Sequence, residues 1–230
     1  MNITSTIIPL LLASTSYAGL VYTADQRSAN TIVDLSGTDT NPDTVEFHAA
    51  PGGLFSPFAE SFSVQDSVAG LGSGSASIEF SSQLGMNDFE STASALSSAD
   101  RTNATLVFTN AAYLFGFEFH LDSTTELEIN ANFFSFGEAH SYFHIMNTAT
   151  NLREYNLFAV DEEVSATERI ILAPGDYQAQ SLVHAGAIAW VDVFDDTAFA
   201  GHSISVQIVP TPPAGSIFAL SGFLATRRRW

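Results

Sequence analysis

The chain has no cysteine and no lysine. Without thiols there is no disulfide framework, no thiolate metal site and no cysteine nucleophile. Without lysine, the fixed cations are seven arginines, set against 25 acidic residues. Arg227, Arg228 and Arg229 stand together at the very end, and residues 1–18 and 210–230 contain no acid. Residues 19–209 therefore hold every acid and four arginines, a formal charge of −21. Such a surface repels phosphate backbones and anionic lipid, which excludes nucleic acid as a partner. No apolar run approaches the roughly 20 residues that cross a bilayer as a helix. Familiar catalytic signatures are missing too: there is no Gly-x-Ser-x-Gly elbow, no His-Glu-x-x-His and no phosphate-binding glycine loop. No sequence repeat at a fixed period suggests a solenoid.

What is present starts at the two ends. Ile7 to Ala13 form a short apolar run, followed by Ser14 to Ala18. Ser16 and Ala18 place small residues at the −3 and −1 positions that a signal peptidase accepts, so cleavage is expected between Ala18 and Gly19. At the other end, Val209-Pro210-Thr211-Pro212-Pro213 cannot continue a hydrogen-bonded ladder and stiffens the chain into a spacer. The uncharged stretch Ala214 to Ala225 follows, then Thr226, the arginine cluster and Trp230. Twelve helical residues cover about 18 Å, against about 30 Å of bilayer core, so a helix here tethers to the inner membrane only transiently. The arginines would stay on the cytoplasmic side during export.

This order of proline motif, short apolar helix and arginine cluster resembles the PEP-CTERM sorting tail. Val209-Pro210-Thr211-Pro212 corresponds to that family's Val-Pro-Glu-Pro, with Thr211 in place of the acid. Gly215, Gly222 and Arg227, Arg228 and Arg229 fit the same pattern. The resemblance implies an exosortase-like processing enzyme as a partner, exchange of the tail near the proline motif, and delivery to the cell surface or the medium. It covers only the last 22 residues and implies no activity for the rest.

The 19–209 segment reads as one all-β domain. Phe115, Phe117 and Phe119 alternate with Gly116, Glu118 and His120; Leu127, Ile129, Ala131 and Phe133 alternate with Glu128, Asn130 and Asn132. Ala76, Ile78 and Phe80, and likewise Ile204, Val206 and Ile208, repeat the period of two that marks a strand with one wet face. Further strands are expected over 104–109, 141–147, 155–160, 167–172, 177–184 and 187–194. Ser91 to Asp100 reads as a short helix or a loop. Many short strands separated by turns predict an antiparallel two-sheet β-sandwich, with a jelly-roll topology suiting a count of eight to ten and a β-barrel as the rival.

Candidate sites follow from chemistry. His140 and His144 share a strand face but stand about 13 Å apart along it, too far to ligate one zinc ion. Asp192, Asp195 and Asp196 cluster at one strand end, and Asp161, Glu162 and Glu163 at another. Loops carrying Asp161, Glu163, Asp192, Asp195 and Asp196 could together supply the six to eight oxygens of a structural calcium, the one cofactor for which residues are present. Trp190, beside Asp192, and Tyr142, beside His140 and His144, could each stack on a pyranose ring. The expectation is a non-enzymatic exported surface or matrix protein, structural or adhesive, in contact with extracellular polysaccharide. A carbohydrate-binding module and a polysaccharide-active enzyme are the alternatives.

Overall fold

The computed structural model describes residues 20–35, 44–49, 56–103, 106–190 and 195–210. Among these there are thirteen strands and no helix. They are β1 (Val21–Asp25), β2 (Ser28–Asp34), β3 (Thr44–Ala49), β4 (Phe58–Val68), β5 (Gly72–Leu84), β6 (Asp88–Arg101) and β7 (Val107–Leu121). Then come β8 (Thr125–Phe136), β9 (Ala139–Asn147), β10 (Arg153–Val160), β11 (Glu163–Leu172), β12 (Gly175–Ala189) and β13 (Asp195–Val209). The expected leader, the proline spacer beyond Pro210, the C-terminal apolar helix and the arginine cluster lie outside the described residues.

All pairings are antiparallel, and they build two sheets packed face to face. The first sheet runs β10-β9-β12-β7-β2-β3, with β1 also lying along β7; the second runs β11-β8-β13-β6-β5-β4. From β6 onward the pairs are nested: β6 with β13, β7 with β12, β8 with β11 and β9 with β10. β1 and β2 share one side of β7: β1 pairs from Phe117 to His120 and β2 from Phe108 to Leu114. At the step between them, Arg27 turns into the interior and binds Asp25, with Nη2 to Oδ2 at 2.6 Å.

The interior divides by side-chain size. One part is aromatic: Phe89 meets Phe117 edge-on at 4.7 Å between centroids, and Phe119 stacks on Tyr177 at 5.5 Å. Each fully buried Phe stabilises the fold by about 1.5–3 kcal/mol. The other part is small: Ala95, Ser97, Ala185, Ala187 and Ala200 face inward. There the sheets come close enough for hydroxyls to reach across. Ser97 Oγ donates to the Ala185 carbonyl at 2.7 Å, and Ser141 Oγ to the Gly201 carbonyl at 3.2 Å. Packed sheets usually stand about 10 Å apart, beyond the reach of a serine, so the contacts depend on small neighbours. Gly74 needs the same room: a Cβ there would meet Thr109 Cγ2 at 2.7 Å and Val33 Cγ1 at 2.9 Å.

Several expectations change. Ser91 to Asp100 is neither helix nor loop but the body of β6. Its inward residues are Ser91, Ala93, Ala95, Ser97 and Ala99, while Leu96 points to solvent. The apolar period was invisible because small residues occupy the buried face. The stretches 177–184 and 187–189 belong to one continuous strand, β12, and 191–194 lie outside the described residues. The strands are also longer and more numerous than expected, five of them reaching 13–15 residues.

Candidate functional site

The outward faces of the two sheets differ. On the second sheet, Glu90, Thr92, Ser94 and Leu96 of β6 and Thr197, Phe199 and Ser203 of β13 are all exposed. On the first sheet, every outward residue from Phe108 to Glu118 of β7 and from Gln178 to Ile188 of β12 is half-buried or buried. These side chains shelter one another, so this face is recessed.

Two hollows lie on it. One, of about 510 Å³, is lined by Tyr142, His144, Arg153, Asn156, Phe158 and Gln180. The other, of about 430 Å³, is lined by Gly137 to His140 together with Tyr142, Phe158 and Val160. Tyr142 and Phe158 belong to both because they are direct cross-strand partners on β9 and β10. Phe158 is 50% exposed on the edge strand β10. Register extends the face sideways: Tyr142 opposes Leu182, His144 opposes Gln180, and His140 opposes His184. A third hollow, of about 520 Å³, lies by the β4–β5 hairpin among serines and carries no aromatic.

The histidines are tuned by burial. His140 stacks on His184 at 4.7 Å between centroids, and Tyr142 stacks on His144 at 5.5 Å. Burial holds the imidazoles of His140, His144 and His184 below the ordinary histidine range. His140 adds to the effect on His184, and Arg153 to that on His144. Near neutral pH these rings are therefore uncharged, each with one donor and one acceptor nitrogen. His120 behaves oppositely. It hydrogen-bonds Asp176 at 2.7 Å and Asp122 at 3.1 Å in solvent, and these carboxylates raise its pKa.

One constellation resembles nucleophilic chemistry and is not available for it. His202 Nε2 lies 2.8 Å from Ser91 Oγ, and Nδ1 lies 2.9 Å from Ser181 Oγ. Ser181 in turn donates to the Tyr142 carbonyl at 2.7 Å. This fixes the proton on Nδ1, which donates to Ser181, while Nε2 accepts from Ser91. All three residues are sealed in the interior, and burial pushes the His202 pKa down to about 3. A substrate cannot reach this serine. The chain of hydrogen bonds satisfies buried polar groups.

The residues singled out from sequence fall in different places. Tyr142 lies on β9, one strand in from the sheet edge, and lines both hollows. Trp190 is 58% exposed just beyond β12, its carbonyl accepting a hydrogen bond from Arg101 at 3.3 Å. It lies eight residues along from Leu182, Tyr142's neighbour, or about 27 Å at strand spacing, so the two aromatics do not form one platform. Asp192 lies outside the described residues. Asp195 opposes Asp100 across the ladder. Asp196 is engaged locally, its Oδ2 accepting the Ile188 N–H at 2.8 Å. Asp161 occupies the turn before β11 with φ 50°, and Glu163 opens that strand. Among the described residues, no three acidic or histidine side chains gather as a metal-ligating group. Ala18, Gly19, Thr211, Pro212 and Arg227, Arg228 and Arg229 lie outside the described residues.

Sequence reasoning missed Phe158, Asn156, Gln180 and Arg153. Phe158 did carry a signal: with Asn156 and Val160 it forms the alternate set on β10, opposite buried Tyr155 and Ala159. No family model matches the chain, and no curated protein matches it.

Proposed function

We propose that this is an exported, non-enzymatic polysaccharide-binding protein of the cell surface or extracellular matrix, and that it uses the recessed face of its first sheet. The observation that carries the reading is the Tyr142–Phe158 pair. Two aromatics lie side by side in a shallow depression, rimmed by Asn156, Gln180, His144 and Arg153. Aromatic faces take the CH faces of a sugar, while amides, imidazoles and guanidinium take its hydroxyls. The nested strand pairing is that of a jelly roll, an architecture that lectin domains use. The export component rests on the leader and the sorting-tail resemblance.

Affinity electrophoresis tests the binding. The protein is run through gels cast with neutral and with acidic polysaccharides. At least one polymer is expected to retard it. Tyr142→Ala and Phe158→Ala are each expected to abolish the retardation, and the Phe158 variant should melt within a few degrees of the parent. No retardation by any polymer, or undiminished retardation of both variants, would overturn the reading.

A further inference from the structure

Among the described residues, Arg153 is a cation without an acid in a protein crowded with acids. The 19–209 segment has four arginines and 25 acidic residues. Arg27 is buried against Asp25. Arg169 binds Glu128 at 2.6 Å and reaches Glu126 at 3.5 Å. Arg153, among the described residues, forms no ion pair; Nη1 donates to the neutral Asn156 Oδ1 at 3.3 Å. Such a charge balance gives most guanidinium groups a carboxylate partner, as it does for Arg27 and Arg169.

The position of Arg153 adds to this. It lines the hollow of about 510 Å³ together with Tyr142, His144, Asn156, Phe158 and Gln180. Its charge is felt at both the Tyr142 phenol and the His144 imidazole. A guanidinium presents a planar fork of five N–H donors that matches a carboxylate bidentately, a fit that a hydroxyl does not share. Four of those donors have no partner among the described residues.

We propose that this hollow selects an acidic sugar: a hexuronate residue whose carboxylate seats on Arg153 and whose ring lies against Tyr142 and Phe158. The proposal rests on the polysaccharide-binding reading and names its ligand class. Asn156 and Gln180 supply amide donors and acceptors for the ring hydroxyls, and uncharged His144 one of each. The −21 charge of the 19–209 segment opposes a polyanion at long range. At physiological ionic strength that repulsion is screened beyond about 8 Å, whereas a contact at Arg153 is direct.

The test is calorimetric titration of the full chain with trisaccharides of galacturonate, mannuronate and glucuronate. Each is compared with its carboxyl-reduced neutral counterpart and with a sulfated neutral trisaccharide. EDTA is present throughout, so that no divalent cation bridges carboxylates. At least one uronate should bind about tenfold or more tightly than its reduced form, as a charge-assisted pair implies. Arg153→Gln should remove that preference while melting at the parent's temperature. Equal affinity for acidic and reduced sugars, equal or tighter binding of the sulfated sugar, or a preference that survives Arg153→Gln would each overturn the assignment. Binding of neutral sugars alone would sink this proposal and leave the polysaccharide-binding reading intact. Failure with every sugar here and every polymer in the gels would sink both.

Discussion

His202 couples the two sheets through hydrogen bonds to Ser91 and Ser181, and it does so uncharged. Its folded pKa, about 3, lies below the ordinary 6.5. The folded state therefore refuses a proton that the unfolded chain accepts. The stability this neutral ring supports is complete above pH 6.5 and drains away as pH falls toward 3. At pH 4 the loss amounts to roughly 3 kcal/mol. Urea denaturation at pH 7 and pH 4, on the parent and on His202→Gln, measures it. The parent should lose that much more than the variant on acidification. Parallel losses would mean that His202 is not held neutral. His140, His144 and His184 act in the same direction and are common to both proteins; exposed His120, with its raised pKa, acts in the opposite one.

At the scale of the element, β6 shows how a strand can hide. From Ser91 onward its buried positions are serine and alanine because the sheets approach closely there, and Ser97 bridges them. The one large apolar residue of that stretch, Leu96, faces outward at 46% exposure, next to Phe199. Substitutions at these adjacent positions should therefore behave in reverse of simple hydrophobicity. Ala95→Leu overpacks the narrow part of the core and is expected to cost about 1–3 kcal/mol. Leu96→Ser is expected to cost about 1 kcal/mol or less. Thermal melting followed by circular dichroism separates the two. A larger loss for Leu96→Ser would contradict the burial of Ala95. β7 is the opposite case. Phe115, Phe117 and Phe119 are large, inward and alternate with Gly116 and Glu118, so the strand was legible directly.

At the scale of the whole molecule, the expected itinerary can be read from mass. Intact mass spectrometry of the protein recovered from the producing cells and their medium should show loss of residues 1–18 and of the tail beyond the Pro210–Pro213 region. A full-length species confined to the cytoplasm would remove the basis for export. Any added mass at the new C-terminus would identify what the protein is joined to. At this scale the sequence conveyed an all-β chain with an acidic coat, since alternation and charge are local properties countable along the chain. It conveyed little of the candidate site. Tyr142 was visible as an aromatic on a wet face. Phe158, Asn156, Gln180 and Arg153 reach it from β10 and β12, strands whose adjacency to β9 is a matter of pairing order.

The residues in order were enough to establish the strand-rich character, the absence of thiol chemistry, the −21 charge of the 19–209 segment and the sorting-tail resemblance. Each is carried by neighbours in the chain. The tertiary structure alone decided which sheet face is recessed, which histidine is sealed, that Arg153 lacks an acid among the described residues and which serines bridge the sheets. Those depend on contacts between residues far apart in sequence, as when His202 meets Ser91 across 111 positions. In antiparallel sheets such pairings are set by register and by the fit of small against large side chains, and no local pattern records them.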